Sequence, residues 1–289
     1  MNRTDGFQLF VCEPVEKVEA GGLNGGGPLK VTTKHHPARE YDAVVLTTPT
    51  WATQMNLDLR FPPNAVSTKV MHSMRSSHWI NSCKVFFPLK RRFWDGSGFP
   101  SVVLTDTFIQ DVYIYAADKN DPGVLLASYT WEDNAMKMLG FDSDVILAQS
   151  CLRKLDEIFE RSMITDTDDK PIRISDYVDP RHEPIVVQWA KKPSYAGCAK
   201  LYRRNNESEN NDLLTFNREH KACRLYFAGE AYSLEGGWIE PATRTALDAV
   251  LHIIHDHGGV LAQGLDIGDY ERLTDTSYLT GMNLPRRGE

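Results

Sequence analysis

Short apolar runs bounded by glycine and proline fill the first half of the chain. Phe7–Cys12 and Val15–Val18 read as strands separated by Pro14, and Leu29–Thr33 and Ala43–Thr47 follow as strands. The glycine-rich stretch Gly21–Pro28 reads as a hairpin turn, because a strand rather than a helix follows it and its spacing is not G-x-G-x-x-G. Cys83–Phe87 is the next strand, closed by Pro88, and Val102–Leu104, Val112–Tyr115 and Val124–Tyr129 form an antiparallel set. Helical spacing comes later. Val145, Ala148, Leu152, Leu155 and Phe159 share one face of a helix that starts near Asp144, with Asp142 or Ser143 as its cap. Ile185–Trp189 reads as a buried strand and residues 204–213 as a solvated loop. A final helix runs from about Pro241 to His255 with Ala242, Ala246, Ala249, Val250 and Ile253 as its packed stripe. Residues 258–289 have weak periodicity and read as an irregular tail.

One segment carries more chemistry than the rest. The apolar run Leu225–Ala228 stops at Gly229-Glu230, then comes Gly236-Gly237-Trp238, and then the last helix opens. A strand end beside a helix N-terminus is where α/β proteins bind dinucleotides, since the first-turn N–H groups and the helix dipole favour an anion. A dinucleotide site also needs a Gly-rich phosphate loop after its first strand, and none is present. The chain is therefore expected to start in the middle of a sheet.

Composition narrows the partners. With 289 residues there is room for about two domains. A net charge of -7 argues against nucleic acid or an anionic membrane surface as the main partner. No apolar run approaches the roughly 18 residues of a membrane span. The first residues lack an apolar signal region, so a cytoplasmic location is expected. Cys12, Cys83, Cys151, Cys198 and Cys223 are scattered and include no C-x-x-C pair, so neither a disulfide framework nor a zinc knuckle is expected. His252, His255 and His257 read as a solvated helix end without a metal.

Four segments in order resemble the flavin amine oxidase family of monoamine oxidases, L-amino acid oxidases, and tryptophan and lysine 2-monooxygenases. They are Tyr41-Asp-Ala-Val-Val-Leu-Thr-Thr-Pro49; Lys84-Val-Phe-Phe with Phe93-Trp94 downstream; Gln188-Trp189 to Lys200-Leu201-Tyr202; and Tyr226-Phe-Ala-Gly-Glu230 to Gly-Gly-Trp-Ile-Glu240. The Gly-Gly-Trp form and the Ala199-Lys-Leu stretch are closer to the amino acid oxidases and 2-monooxygenases. The resemblance implies an α/β fold: the C-terminal part of a glutathione-reductase-like FAD-binding domain, interleaved with an α+β substrate domain on a mixed sheet. The implied bounds are 1–76 and 185–258 for FAD binding, 77–184 for substrate, and 259–289 for the tail. In the family the G-x-G-x-x-G loop and the carboxylate-binding arginine precede the matched part. A second polypeptide carrying both is therefore the expected partner.

Residue by residue, the resemblance makes Lys84 the lysine that holds a water near the flavin and assists reaction with dioxygen. Its other reading is a strand-edge lysine with its head in solvent. Tyr129 resembles the tyrosine that hydrogen-bonds the substrate carboxylate; its other reading is a half-buried strand tyrosine. Trp238 would wall the pocket for the reacting amine. Gly229 and Glu230 would meet the ribityl and pyrophosphate region of FAD. Gly237 and the backbone of Trp238 and Ile239 would lie at the pyrimidine end, although Pro241 replaces the usual glycine and removes one amide donor. Val15 matches a valine whose backbone contacts adenine, and Trp189 a tryptophan packed on the isoalloxazine. Cys198 has the offset of the cysteine that monoamine oxidases bond to flavin; it is otherwise a small core residue beside non-covalent FAD. The function implied is oxidation of an L-amino acid's α-amine, with dioxygen as acceptor, by an oxidase or a 2-monooxygenase. An amine or polyamine oxidase and a non-catalytic regulatory subunit are the alternatives.

Overall fold

The computed structural model describes residues 6–22, 27–95, 98–166, 169–201, 207–219, 223–233 and 235–260. In chain order the strands are β1 Val15–Gly21, β2 Gly27–Thr33, β3 Arg39–Tyr41, β4 Val44–Leu46, β5 Asp58–Arg60, β6 His78–Ile80, β7 Ser82–Pro88, β8 Val102–Leu104, β9 Asp111–Tyr115, β10 Val124–Trp131, β11 Ile185–Gln188, β12 Ala199–Leu201 and β13 Leu225–Phe227. The helices are α1 Thr50–Asn56, α2 Thr68–Ser76, α3 Glu132–Lys137, α4 Asp144–Glu160, α5 Glu207–Leu214, α6 Phe216–Glu219 and α7 Ile239–Asp256. Two compact units result, one of Met1–Trp79 with Ala199–Glu289 and one of Ile80–Cys198. Residues 185–198 thus fold with the second unit.

In the first unit the sheet order is β3-β2-β1-β5. β1 and β2 are the antiparallel hairpin that the glycines announced, with Gly21 opposite Gly27, and β5 joins β1 in parallel. β4 and β13 form a separate parallel pair, Leu225 to Phe227 against Val44 to Leu46. All three residues of β13 are buried, which suits a parallel strand covered on both faces. Phe227 lies between Phe216 and Tyr232, with ring centroids 4.0 and 4.5 Å away. That stack and the Asn217 side chain, which accepts from Phe227 N at 2.7 Å and donates to Phe227 O at 2.9 Å, fix the strand just before Gly229.

In the second unit the order is β11-β7-β10-β9-β8. Every strand pair in it is antiparallel, so this sheet is not the mixed one expected. Antiparallel pairing needs no long crossover, and short connections join β8 to β9 and β9 to β10. On β7, Cys83, Val85 and Phe87 face the core, while Lys84 and Phe86 are half-buried on the other face. α4 covers the core face, capped by the Ser143 side chain, which accepts from Ile146 N at 3.2 Å. Replacing Ser143 with alanine is expected to cost about 1 kcal/mol, read as a lower urea midpoint with an unchanged slope.

Several expectations need correction. Phe7–Cys12 is not a strand: no strand among the described residues pairs with it, and Phe7 is 75% exposed. Ile185 is exposed, because β11 is an edge strand rather than a buried one. Residues 207–214 are helical, with Leu213 buried as the anchor. The buried stripe of α4 runs through Leu147, Ala148, Cys151, Leu155 and Phe159, and Val145 is exposed. The buried face of α7 is Pro241, Thr245, Ala249, Leu251 and His252; Ala246 and Val250 are exposed. His252 is thus a core histidine 3.4 Å from Asp248, not part of a solvated helix end. Tyr202 and the tail beyond residue 260 lie outside the described residues.

Candidate functional site

In the first unit, two residues past the end of β13, Gly229 adopts φ +109°, a conformation costly for any side chain. Gly229 N donates to Thr245 Oγ1 at 2.8 Å, and this hydroxyl also lies 3.1 Å from Gly229 O, so α7 grips the strand end directly. A 3-10 turn over Glu230–Tyr232 follows. Ser233 Oγ, 2.8 Å from both Glu230 O and Glu235 O, closes it. The Glu230 carboxylate folds back, and Oε1 accepts from Lys200 N at 2.9 Å and from Gly237 N at 2.6 Å. Two N–H donors on one oxygen fix the carboxylate plane and leave Oε2 without a hydrogen bond among the described residues.

Lys200 is the residue that sequence reasoning missed. It is 0% exposed, and its ammonium donates to Ala231 O at 2.9 Å and Ser233 O at 3.1 Å. Burial drives its pKa down from 10.5 to about 8, opposed by the nearby Glu230 carboxylate. The signal was available. A lysine flanked by Ala199 and Leu201 is an expensive place for an ammonium, and here the head is fully enclosed.

α7 begins beside this turn. Trp238 is its N-cap and provides no side-chain cap, and Pro241 in the first turn contributes no N–H. Trp238 is 74% and Ile239 86% exposed, a large apolar pair at a helix N-terminus. Gly229, Glu230, Gly237, Trp238 and Ile239 are therefore brought together. Val15, at the exposed start of β1, belongs to the other sheet of this unit.

In the second unit, Lys84 and Tyr129 are paired across β7 and β10, with Lys84 Nζ 4.5 Å from the Tyr129 ring centroid. The ammonium is neither deep in the core nor free in solvent; the ring faces it. Trp131, 4.5 Å from Tyr129, and Tyr113, 6.4 Å away, extend the aromatic surface. Burial, and then Cys198, push the Tyr129 phenol up to about 12, so at neutral pH it is a hydrogen-bond donor. Trp189 packs edge-on to Tyr195 at 5.3 Å, and its Nε1 is buried without a partner among the described residues. Cys198 is half-buried, in no disulfide, and its N–H donates to Ile80 O at 2.7 Å.

These residues fit a flavin. Among the described residues, a helix start with no side-chain cap, a carboxylate with one oxygen left to accept from hydroxyls, and an exposed indole match the anionic ring end, the ribityl chain and the flat ring of such a cofactor. Among the described residues no cluster could hold a metal ion, and no helix is long and apolar enough to cross a membrane.

Comparison with known proteins agrees with this chemistry. The chain is similar to tryptophan 2-monooxygenase of Pseudomonas savastanoi, 29% identical over 81% of this chain and 42% of that protein. It is similar to tryptophan 2-monooxygenase of Agrobacterium tumefaciens (strain Ach5), 32% identical over 82% of the chain and 31% of that protein. An L-amino-acid oxidase of Siganus canaliculatus is 29% identical over 73% of the chain and 36% of that protein. The chain thus spans less than half the length of these relatives. Its fold resembles a putrescine oxidase double mutant from a redesign of cofactor binding, with a TM-score of 0.53 and 14% identity over 82% of this chain and 48% of that one. Residues 3–254 match the family described as flavin containing amine oxidoreductase, so the chain belongs to that family, and its cofactor is a flavin, FAD.

Proposed function

We propose that this chain is part of an FAD-dependent enzyme that oxidises the α-amine of an L-amino acid, as an L-amino acid oxidase or 2-monooxygenase. The observation that carries the reading is the Glu230 corner: a carboxylate held by two backbone N–H groups with Oε2 open, beside the exposed Trp238 at an uncapped helix start. FAD, when bound, accepts hydride from the substrate carbon and delivers electrons to dioxygen. The protein orients, excludes water and places charge. Glu230 accepts hydrogen bonds from cofactor hydroxyls, and the N–H groups at the start of α7 stabilise negative charge. Trp238 excludes water from the reacting amine. Tyr129 donates its phenol hydrogen to the substrate carboxylate, and Lys84 holds the water that assists reaction with dioxygen.

Residues 77–184 serve as the substrate domain in this reading, and the flanking segments bind FAD without a covalent bond to Cys198. The G-x-G-x-x-G unit and the carboxylate-binding arginine come from a second polypeptide, making the enzyme a hetero-oligomer. Isolating the chain by itself, folded with FAD bound, would sink the two-chain idea.

The assembled enzyme is screened with L-amino acids for hydrogen peroxide and for amide product. Turnover of simple amines but of no amino acid would replace this reading with an amine or polyamine oxidase. Lys84→Met is expected to slow reaction of the reduced enzyme with dioxygen by roughly 100-fold while leaving anaerobic reduction by substrate nearly unchanged. Stopped-flow absorbance of the two half-reactions checks it, and equal slowing of both would remove Lys84 from the oxygen step.

A further inference from the structure

Lysine is almost never fully buried unless its head is paired, because enclosing an ammonium is costly. Lys200 is enclosed in the first unit, and all three of its polar groups converge on one loop. Its ammonium donates to Ala231 O at 2.9 Å and Ser233 O at 3.1 Å, the carbonyls that end the 3-10 turn. A cation suits that end of a helical turn. Its backbone N donates to Glu230 Oε1 at 2.9 Å. Its carbonyl oxygen lies 1.5 Å from where a Cβ on Gly236 would stand, so Gly236 rests directly on it. Gly237 N then reaches the same Oε1 at 2.6 Å. One side chain and its own peptide groups thus hold residues 230–237 at the start, the middle and the end.

The enclosed head is engaged by carbonyls, so it is not presented as an acid, base or nucleophile. An apolar residue of similar volume would fill the space without the desolvation penalty, and an apolar replacement of a buried ion is often neutral or stabilising. What the apolar residue would lose is the ammonium's hold on the carbonyls at 231 and 233. These are the points that set the direction from which Glu230 turns back toward β12.

We propose that Lys200 is a positioning residue for FAD: it clamps the 230–237 loop so that the Glu230 carboxylate is locked through Oε1 and presents Oε2 to the cofactor's hydroxyls. This rests on the reading above that Glu230 meets FAD. Its effect on the cofactor passes through the loop and the Glu230 carboxylate.

That dependence is testable by a double-mutant cycle on the assembled flavoprotein, with the dissociation constant of FAD read by quenching of flavin fluorescence. Glu230→Gln is expected to weaken FAD about tenfold, and Lys200→Met by a similar factor. The pair together should also give about tenfold, not about a hundredfold, because Lys200 has nothing left to position once the carboxylate is gone. A purely structural lysine would multiply the two losses, and that outcome overturns the proposal, as does an unchanged dissociation constant in Lys200→Met. If Lys200→Met does not fold, Lys200→Gln, which keeps donors without the charge, takes its place in the cycle. A second readout uses the wild type alone. Hydrogen exchange at the Lys200 and Gly237 amides should slow when FAD binds, since both donate to the carboxylate that the cofactor engages; unchanged exchange at both counts against the clamp. If the assembled wild type binds no FAD at all, the functional reading fails and not the clamp.

Discussion

Gly236→Ala is expected to destabilise the first unit by on the order of 4 kcal/mol. The new methyl would sit 1.5 Å from the Lys200 carbonyl oxygen and 2.6 Å from its carbon. Both are backbone atoms, so no rotamer change relieves the overlap. Either β12 or the 235–237 loop must move, and movement of either breaks the two N–H bonds that hold Glu230 Oε1. The neighbour is the control. Gly237, unlike Gly236, has a left-handed backbone, at φ +82°, yet an added methyl there meets open space. Gly237→Ala should therefore cost only the conformational strain, about 1 kcal/mol. Urea unfolding of the two variants beside the wild type checks the contrast. Equal losses would mean that the Lys200 carbonyl does not dictate glycine at 236.

The second large effect is a pH dependence centred on Lys200. Its ammonium is depressed from 10.5 to about 8, chiefly by burial. Below pH 8 the lysine is protonated whether the chain is folded or not, and the folded state bears the full desolvation cost. Between 8 and 10.5 the unfolded chain holds the proton more tightly, so stability rises with pH. Above 10.5 both forms are neutral and the gain is complete. The gain is about 3 kcal/mol from the size of the shift. Buried thiols act in the opposite sense: burial raises Cys83 and Cys151 from 9.0 to about 12, so they favour unfolding as pH climbs past 9. The measurable quantity is therefore the stability of wild type minus that of Lys200→Met, followed from pH 7.5 to 10.5, in which the thiols cancel. A flat difference would mean that the Lys200 head is solvated.

Both results concern a loop that the sequence marked out, but for partly different reasons. The run Leu225–Ala228, the pair Gly229-Glu230 and the Gly-Gly-Trp before a helix were readable because each is a local signal. An apolar run needs burial, glycine at positive φ needs no Cβ, and a helix must begin where its pattern begins. The same holds for the β1–β2 hairpin, for the antiparallel run β8 to β10, and for α4 with its Ser143 cap. These depend on residues within a few positions of one another.

Contacts between distant positions were not readable. Lys200 acquires its role from residues 30 or more positions away, and nothing near it in the chain names Glu230, Ala231 or Ser233 as its partners. α5 forms in a polar stretch because Leu213 finds a core, and His252 is buried because α7 turns that face inward. Phe7–Cys12 has strand-like composition but pairs with no strand among the described residues. By itself the sequence determined the family, the β1–β2 hairpin, the antiparallel run β8 to β10 and α4, since side-chain type and local periodicity are properties of the chain. Only the tertiary structure decided which oxygen of Glu230 is held, which lysine is enclosed and why position 236 admits no side chain, because those follow from which surfaces meet once the apolar faces are buried.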